Sequence, residues 1–393
     1  MQQKEKIWTP TFILTMTISF VFYFVFYLLT VIIGPYAMAD YHAAASIAGI
    51  LVGIFVVGGF IGRLFAGNKV MQIGIKRMLY AGTIFYLITT LLYFIVPNLG
   101  LLILVRLLQG IGFGVAGTAA STVAGLIVPA SRRGEGIGYF VLSLTLASAF
   151  GPFIAMDLYN SIGYNILVTL SSVCLIVALF LIFFLKIPAK MAERRPAEKK
   201  PFSIWNYFEK KALPISFIGF LVGIGYASVL SFLDSFTAQI HLVTAGSLFY
   251  VVYAVFIIVS RPITGRLFDS KGDNFVFYPV FVIFAAGLVL TGITHSAFIL
   301  LLGAALVGLG YGSVLPFTQA IGIRHSAQDR IGIATSTVYG LFDMGVGVGP
   351  FLLGLILPMT GYRNLFIYTA GFMIIVGVIY FIIHGRHANK EVI

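Results

Sequence analysis

Charged residues are scarce in this chain of 393 residues: 10% are Asp, Glu, Lys or Arg, and 60% are hydrophobic. Soluble domains average about 25% charged residues, so this composition excludes a soluble globular protein. The mean hydropathy is +1.03, and apolar runs recur that are long enough to cross a hydrocarbon core of about 30 Å. The net charge of +12 does not indicate nucleic-acid binding, because no soluble basic face or aromatic–basic recognition module accompanies it.

Cysteine is almost absent, since Cys174 alone occurs, in an apolar run, and this excludes a disulfide framework and a cysteine-based metal site. The six histidines are scattered and show no HxxxH or HxH spacing, so we expect no metal. The glycine-rich run 110–114 lacks the Lys-Ser/Thr of a phosphate-binding loop, which argues against an ATP-driven pump. No nucleophile–base pair indicates an enzyme, and we expect no cofactor.

Twelve apolar segments are each long enough to span a bilayer, and turn residues separate them. We therefore predict an all-α membrane protein with twelve transmembrane helices. The first segment is too long for the apolar region of a signal peptide, so we expect it to be retained. The predicted spans are 8–34, 45–67, 77–96, 99–127, 134–158, 164–186, 212–239, 245–267, 275–294, 297–324, 330–357 and 363–384.

The distribution of Lys and Arg predicts the orientation. With twelve spans, Arg363 alone falls outside the membrane on the face opposite the termini, and Arg106 alone lies well inside a span. The positive-inside rule then places both termini in the cytoplasm, and we expect a multi-pass protein of the cell membrane. The long polar segment 186–211 lies on the same face; we interpret it as a tether between half-bundles, and a docking or lipid-contacting element is the alternative.

The two halves of the chain repeat at one ungapped offset of 198 residues. Such a repeat predicts two pseudo-symmetric six-helix bundles related by an axis along the membrane normal. The predicted domains are an N-terminal bundle (1–186), a cytoplasmic linker (187–211) and a C-terminal bundle (212–393). The matching pairs include Arg63/Arg261, Gly67/Gly265, Gly74/Gly272, Gly110/Gly308, Gly112/Gly310, Gly114/Gly312, Arg132/Arg330, Gly151-Pro152/Gly349-Pro350 and Gly163/Gly361.

Asp343 breaks this repeat, because its counterpart is Thr145. It lies thirteen residues past Arg330, which is about 20 Å along a helix and so near mid-bilayer. An ionised carboxylate there is costly, and a buried carboxyl group favours its neutral form, which suits a proton carrier. We predict that Asp343 carries the coupling proton; the alternative is a hydrogen-bonded structural acid.

Arg106 and Asp234 are the other candidate coupling residues. The counterpart of Arg106 is Ala304, and its charge must be met by an acid, carbonyl groups or water. Asp234 lies late in the seventh span, where it faces either the cavity or the outer water. Asp157 we interpret as a solvated residue at the end of its helix.

Aromatic residues are abundant, with 37 Phe and 20 Tyr. Aromatic walls suit lipophilic or cationic cargo, so we expect some of them to line a central cavity. The predicted cavity residues are Tyr23, Phe26, Tyr27, Gln109, Tyr226, Phe232, Asp234 and Tyr339.

Three motifs carry a resemblance to a known family. The loop after the second span reads Gly67-x-x-x-Met71-x-x-Gly74-x-Lys76-Arg77, with Met71 where the motif has aspartate, and the second half has Gly265, Asp269 and Gly272. The fourth span contains Arg106-x-x-Gln109-Gly110-x-Gly112-x-Gly114. The fifth span has small residues every four positions, ending in Gly151-Pro152 and Ala155.

On these motifs the chain resembles the major facilitator superfamily over its whole length, and it is most similar to the bacterial twelve-helix drug:proton antiporters. The resemblance implies alternating access and a role in proton coupling for the arginine of the fourth span. It also implies that the loop aspartate holds the inner gate shut. From the repeat, we expect Asp269 to face the start of the fifth span, near Arg132 and Arg133.

We therefore expect a monomeric secondary transporter in the lipid bilayer that exports a small lipophilic or amphipathic molecule in exchange for protons. Export of a sugar or metallophore and import of a small metabolite are alternatives within the same fold. A transporter-like membrane receptor is a more distant alternative, for which the segment 187–211 is the only sizeable soluble part.

Overall fold

The computed structural model describes residues 6–43, 45–187 and 203–388, and these contain helices and no strand. Most of the predicted linker, residues 188–202, lies outside the described part of the chain. The helices are α1 (Pro10–Asp40), α2 (Ala45–Ile73), α3 (Ile75–Leu91), α4 (Leu99–Ile127), α5 (Arg133–Ser161), α6 (Tyr164–Phe184), α7 (Leu213–Gln239), α8 (Val243–Lys271), α9 (Asp273–Ile293), α10 (Ala297–Tyr311), α11 (Val314–Arg324) and α12 (Ile331–Tyr380).

Eleven helical stretches among the described residues are long and apolar enough to cross a membrane, whereas the sequence predicted twelve spans. The difference arises at the end of the chain, where residues Gln328–Ala388 form one stretch of 61 residues. Within it, α12 has 50 residues, or about 75 Å of helix, more than twice the thickness of a hydrocarbon core. Gly361 interrupts α12 with φ 69° and ψ 168°, a conformation that favours glycine.

The helix ends follow from the sequence. The side chains of Thr9, Asn98 and Ser296 each accept a hydrogen bond from a backbone N–H in the first turn of the helix that follows. Four glycines with positive φ form turns, and they are two pairs separated by 198 residues: Gly74 (99°) with Gly272 (81°), and Gly163 (105°) with Gly361 (69°). Asn98 and Ser296 are also 198 residues apart, so the repeat extends to the local turn and cap geometry.

The glycines of the fourth span and its counterpart mark close helix contacts that obey the same offset. A Cβ on Gly110 would lie 2.2 Å from the carbonyl oxygen of Phe55, and one on Gly308 would lie 2.5 Å from that of Tyr253. Phe55 and Tyr253 are themselves 198 residues apart. In lipid, where no hydrophobic force drives helices together, such small-residue contacts supply much of the packing energy.

The chain folds into two compact units. The first comprises the residues up to Pro129 together with Ser143–Glu209 and Ser326–Gly340. The second comprises Ala130–Leu142, Lys210–His325 and Leu341 onward. The first turns of α5 thus group with the second half of the sequence, and the first turns of α12 group with the first half. The division into two six-helix bundles stays a prediction.

Candidate functional site

Arg106 is fully buried in α4 and is surrounded by uncharged acceptors. Its guanidinium donates to Gln109 Oε1 at 2.8 Å, to Thr30 Oγ1 at 2.6 Å and to the carbonyl of Leu51 at 3.2 Å. It also lies 4.4 Å from the ring centroid of Phe55. Because the described residues pair no carboxylate with Arg106, its charge is distributed over dipoles and a ring face.

Gln109, predicted to line the cavity, is fully buried beside Arg106. Its amide oxygen also accepts from Tyr93 Oη at 2.8 Å, and its Nε2 donates to Thr90 Oγ1 at 3.0 Å. The predicted pair Arg106–Gln109 is therefore brought together in one polar network that links α1, α2, α3 and α4. Such a satisfied network fixes the side chains and is sensitive to loss of any member.

Arg106 is not the only buried basic residue among those described. Arg63 in α2 and Arg261 in α8 are also buried, with exposed fractions of 0% and 2%. Both helices continue several residues beyond the predicted spans, to Ile73 and Lys271. The separation of Arg63 and Arg261 by 198 residues was the signal available in the sequence. The position of Arg106 well inside a span stays a prediction.

Tyr23 and Tyr339 contact one of these arginines. Arg63 donates to Tyr23 Oη at 3.4 Å, and its guanidinium lies 5.0 Å from the ring centroid of Tyr339 and 5.5 Å from that of Phe113. Both tyrosines were predicted as cavity residues; Tyr23 is 6% exposed and Tyr339 is 2% exposed. These predicted aromatic cavity residues of the first compact unit thus contact a cation.

Phe26 and Tyr27, also predicted for the cavity, are part-buried on α1. The Phe26 ring lies 4.8 Å from that of Tyr27 and 5.5 Å from that of Phe113. A Cβ on Gly151 would lie 2.6 Å from Tyr27 Cβ, so Gly151 lets α5 approach α1 closely. Pro152 follows inside α5, and the corresponding Pro350 lies inside α12.

In the second half, Tyr226 stacks on Tyr311 with ring centroids 3.8 Å apart and planes 10° apart. Phe232 packs instead against the apolar cluster of Ala227, Leu353 and Leu365. Asp234 is exposed on the same helix, α7. The three predicted cavity residues of α7 therefore have three different environments.

Asp343 is part-buried on α12. Its neighbours in sequence contact two helices: the ring of Phe342 lies 5.8 Å from that of Tyr311, and a Cβ on Gly345 would lie 2.1 Å from the carbonyl oxygen of Phe220 on α7. One turn further, a Cβ on Gly349 would lie 2.4 Å from Ala227 Cβ. The glycines thus bring α12 against α7 next to the carboxylate. Asp157, by contrast, is exposed near the end of α5. Its interpretation as a solvated residue stays a prediction.

Asp269, near the end of α8, contacts the start of α5, as its place in the repeat predicted. Its Oδ1 accepts from the N–H of Gly134 at 2.7 Å and its Oδ2 from the N–H of Glu135 at 2.9 Å. These N–H groups have no partner within the helix, and the positive end of the helix dipole favours the carboxylate. Gly265 permits this approach, because its Cβ would lie 2.7 Å from Glu135 Cα.

The sequence analysis missed Glu135, which is 5% exposed. Its carboxylate pairs with Arg132 at 2.8 Å and with Arg266 at 3.3 Å. Arg133, part-buried, begins α5 beside this group, and Gly272 ends α8 a short distance beyond Asp269. The candidate gate residues of α5 and α8 are therefore in contact.

The loop motif of the first half lacks this carboxylate network. Gly67 packs against α12, since its Cβ would lie 2.0 Å from Ser336 Oγ. Lys76 donates to the carbonyls of Phe183 and Leu185 at the end of α6, both at 2.9 Å. Gly74, Lys76 and Arg77 line a surface depression with Leu185 and Lys186.

Comparison with known families and proteins gives a consistent result. The family model of the Major Facilitator Superfamily matches residues 15–339 and 276–392. The staphylopine export protein of Staphylococcus aureus is 24% identical over 364 residues, covering 87% of this chain and 88% of that protein. The multidrug resistance protein MdtG of Dickeya zeae is 22% identical, with 90% and 88% covered.

An MFS-type transporter of Methanocaldococcus jannaschii is 23% identical, with 84% of this chain and 87% of that protein covered. Among solved structures, the human organic anion transporter MFSD10 matches with a TM-score of 0.78 at 14% identity, covering 94% of this chain and 99% of that chain. The proton:xylose symporter XylE matches with a TM-score of 0.71 at 11% identity, with 94% of each chain covered. At these identities the structural matches establish the fold alone.

Proposed function

Because this chain belongs to the major facilitator superfamily and is therefore a transporter rather than an enzyme, we propose that it is a proton-coupled exporter of small lipophilic or amphipathic compounds. It has twelve membrane spans, the last two being the parts of α12 before and after Gly361, and its termini are cytoplasmic. Two six-helix bundles, 1–186 and 212–393, alternate access to a cavity between them.

One observation carries the proposal: Asp343 is a part-buried carboxyl group in a span whose counterpart, Thr145, cannot ionise. The first half has a neutral residue at the corresponding position, which favours a role for the carboxyl group beyond packing. Ionisable groups within membrane spans are costly to retain and mark ion or substrate pathways. The names of two relatives, a multidrug resistance protein and a staphylopine export protein, support export.

Arg106 is the second coupling residue of this proposal. Because its acceptors are uncharged, its positive charge is not neutralised, and it would act electrostatically on a substrate or on the carboxyl group that exchanges the proton. Asp234, which is exposed on α7, is the reserve candidate for proton transfer.

The positive charge of Arg106 favours a second candidate function, the export of a carboxylate-bearing compound of the metallophore type. Arg106 places a buried cation in the first compact unit. Its acceptors among the described residues are uncharged. A negatively charged cargo would be attracted by such an interior. A lipophilic cation would be repelled unless Asp343 is ionised.

Transport by purified protein in liposomes tests these proposals. We expect a pH gradient to drive accumulation of ethidium, a lipophilic cation, or of an amino-polycarboxylate, an analogue of a metallophore. Asp343→Asn should abolish gradient-driven accumulation and leave passive exchange, whereas Asp157→Asn, which neutralises an exposed carboxylate, should transport normally. Accumulation by Asp343→Asn with the wild-type pH dependence would contradict the assigned role and direct attention to Asp234.

A further inference from the structure

The two compact units differ in one corresponding helix contact. In one unit the end of α8 contacts the start of α5, and in the other the end of α2 contacts the start of α12. In the second compact unit, Asp269 and Glu135 supply two carboxylates to this contact. At the offset of 198 residues, the corresponding positions of the first unit are Met71 and Ile333, so both carboxylates are missing. Arg132 nevertheless has a counterpart, Arg330, which needs a partner.

The contact itself is the same in both units. A Cβ on Gly134 would lie 2.4 Å from Phe268 Cδ1, and a Cβ on Gly332 would lie 2.3 Å from Val70 Cγ1. At the offset of 198 residues, Gly134 corresponds to Gly332 and Phe268 corresponds to Val70. The end of α2 therefore approaches the start of α12 as α8 approaches α5, and the helix packing is retained without the charges.

A segment of the linker supplies a carboxylate to this contact. Residues Ser203–Glu209, here called the arm, end in Glu209, which is 6% exposed. Its carboxylate pairs with Arg330 Nε. Arg330 Nη2 also donates to the arm carbonyls of Trp205, at 3.0 Å, and Phe208, at 3.1 Å. The arginine at the start of α12 is thus held by three groups of the arm.

Two further hydrogen bonds fix the arm between α2 and α12. Asn68 Nδ2 donates to the carbonyl of Asn206 at 2.5 Å, and the N–H of Glu209 donates to Thr337 Oγ1 at 3.0 Å. Asn68 is the counterpart of Arg266, which pairs with Glu135 in the other unit. Each position that lost its ionic partner in the first unit therefore contacts the arm instead.

We propose that the arm is a surrogate latch: Glu209 replaces the carboxylates missing at Met71 and Ile333, and it holds the start of α12 against α2 in one state of the transport cycle. The inference rests on the proposed alternating access, because a latch matters only if this contact opens. It assigns a gating role to a linker residue and makes the two halves functionally unequal. Glu209 is a positioning residue, which acts through Arg330 and not on the substrate.

Hydrogen exchange of the purified full-length protein tests the latch without requiring transport. In Glu209→Gln, the amides of 331–340 should exchange about tenfold faster, because loss of a charge-assisted pair releases the first turns of α12. The amides of 133–142 should be unaffected. Asp269→Asn should give the opposite pattern, and Asp157→Asn should change neither segment.

Rescue distinguishes a latch from a general loss of stability. Met71→Asp restores the aspartate of the loop motif opposite the N–H groups of Gly332 and Ile333, so Met71→Asp with Glu209→Gln should return the exchange of 331–340 toward wild type. Glu209→Asp, which keeps the charge and shortens the side chain, should give an intermediate increase even if Glu209→Gln fails to fold. Wild-type exchange in Glu209→Asp, or no rescue by Met71→Asp, would overturn the inference.

Transport measured on the same preparations separates the two proposals. Faster exchange in Glu209→Gln without any proton dependence of wild-type transport would refute proton coupling and leave the latch standing. Proton-driven transport with unchanged exchange in Glu209→Gln would refute the latch alone.

Discussion

Gly110→Ala tests whether close contact between α2 and α4 is a main source of stability. The added Cβ would lie 2.2 Å from the carbonyl oxygen of Phe55 and 3.0 Å from the backbone nitrogen of Gly59. A carbon–oxygen contact needs about 3.5 Å, so the helices would have to separate by roughly 1 Å. Both contacting atoms belong to the backbone, so no side-chain rotation relieves the overlap.

The magnitude follows from two opposing terms. Overpacking of this kind costs about 1–3 kcal/mol, and separation of the helices also lengthens the 3.2 Å bond from Arg106 to the carbonyl of Leu51 on α2. Alanine is favoured over glycine in a helix by about 1 kcal/mol, which partly offsets this cost. With about 1 kcal/mol more for the weakened hydrogen bond, we expect a net loss of about 1–3 kcal/mol. For 393 residues this corresponds to a midpoint of thermal unfolding lower by on the order of 1–4 °C.

The matched control is Gly53→Ala on α2, where a Cβ would meet nothing within 4 Å. This variant keeps the propensity gain without the overlap, so its midpoint should equal or exceed that of the wild type. The assay is thermal unfolding of the purified protein in detergent. Equal midpoints for Gly110→Ala and Gly53→Ala would refute the argument from helix contact.

Two further predictions concern the buried arginine and the orientation. Arg106→Lys should lower the free energy of unfolding by about 2–3 kcal/mol, because one ammonium group cannot reach three acceptors. The control is Arg386→Lys, which changes an exposed arginine. Equal midpoints of thermal unfolding for the two variants would refute the argument. In a background without Cys174, a cysteine introduced at Ser203 should resist a membrane-impermeant maleimide applied to intact cells. A cysteine introduced at Met359, which is 87% exposed, should react with it; reaction at Ser203 and none at Met359 would reverse the topology.

The repeat was predictable in detail because it includes residue types, such as glycine in turns, that determine the local backbone conformation. Only glycine readily adopts a positive φ, so the pairs Gly74/Gly272 and Gly163/Gly361 mark the same turns in both halves. The contact of Asp269 with the start of α5 followed from the repeat and is confirmed by two hydrogen bonds. The roles of these residues in gating stay predictions.

The burial of charged residues was less predictable. Arg63 was identified only as a member of a repeat pair, yet it is fully buried in α2. Polar residues in the last turns are buried by neighbouring helices, and hydropathy does not register those neighbours. The count of twelve spans stays a prediction: Gln328–Ala388 is one long helical stretch, and the non-helical backbone of Gly361 divides it into two helices.

The sequence by itself determined the membrane class, the family and the register of the repeat, because these depend on composition and on spacing along one chain. Only the tertiary structure decided which partners replace those that the repeat lost. Nothing in the spacing of Glu209 relates it to Arg330, which lies 121 residues away and pairs with it. A hydrogen bond or ion pair depends on distances of about 3 Å between atoms, and the folding of the intervening helices sets those distances.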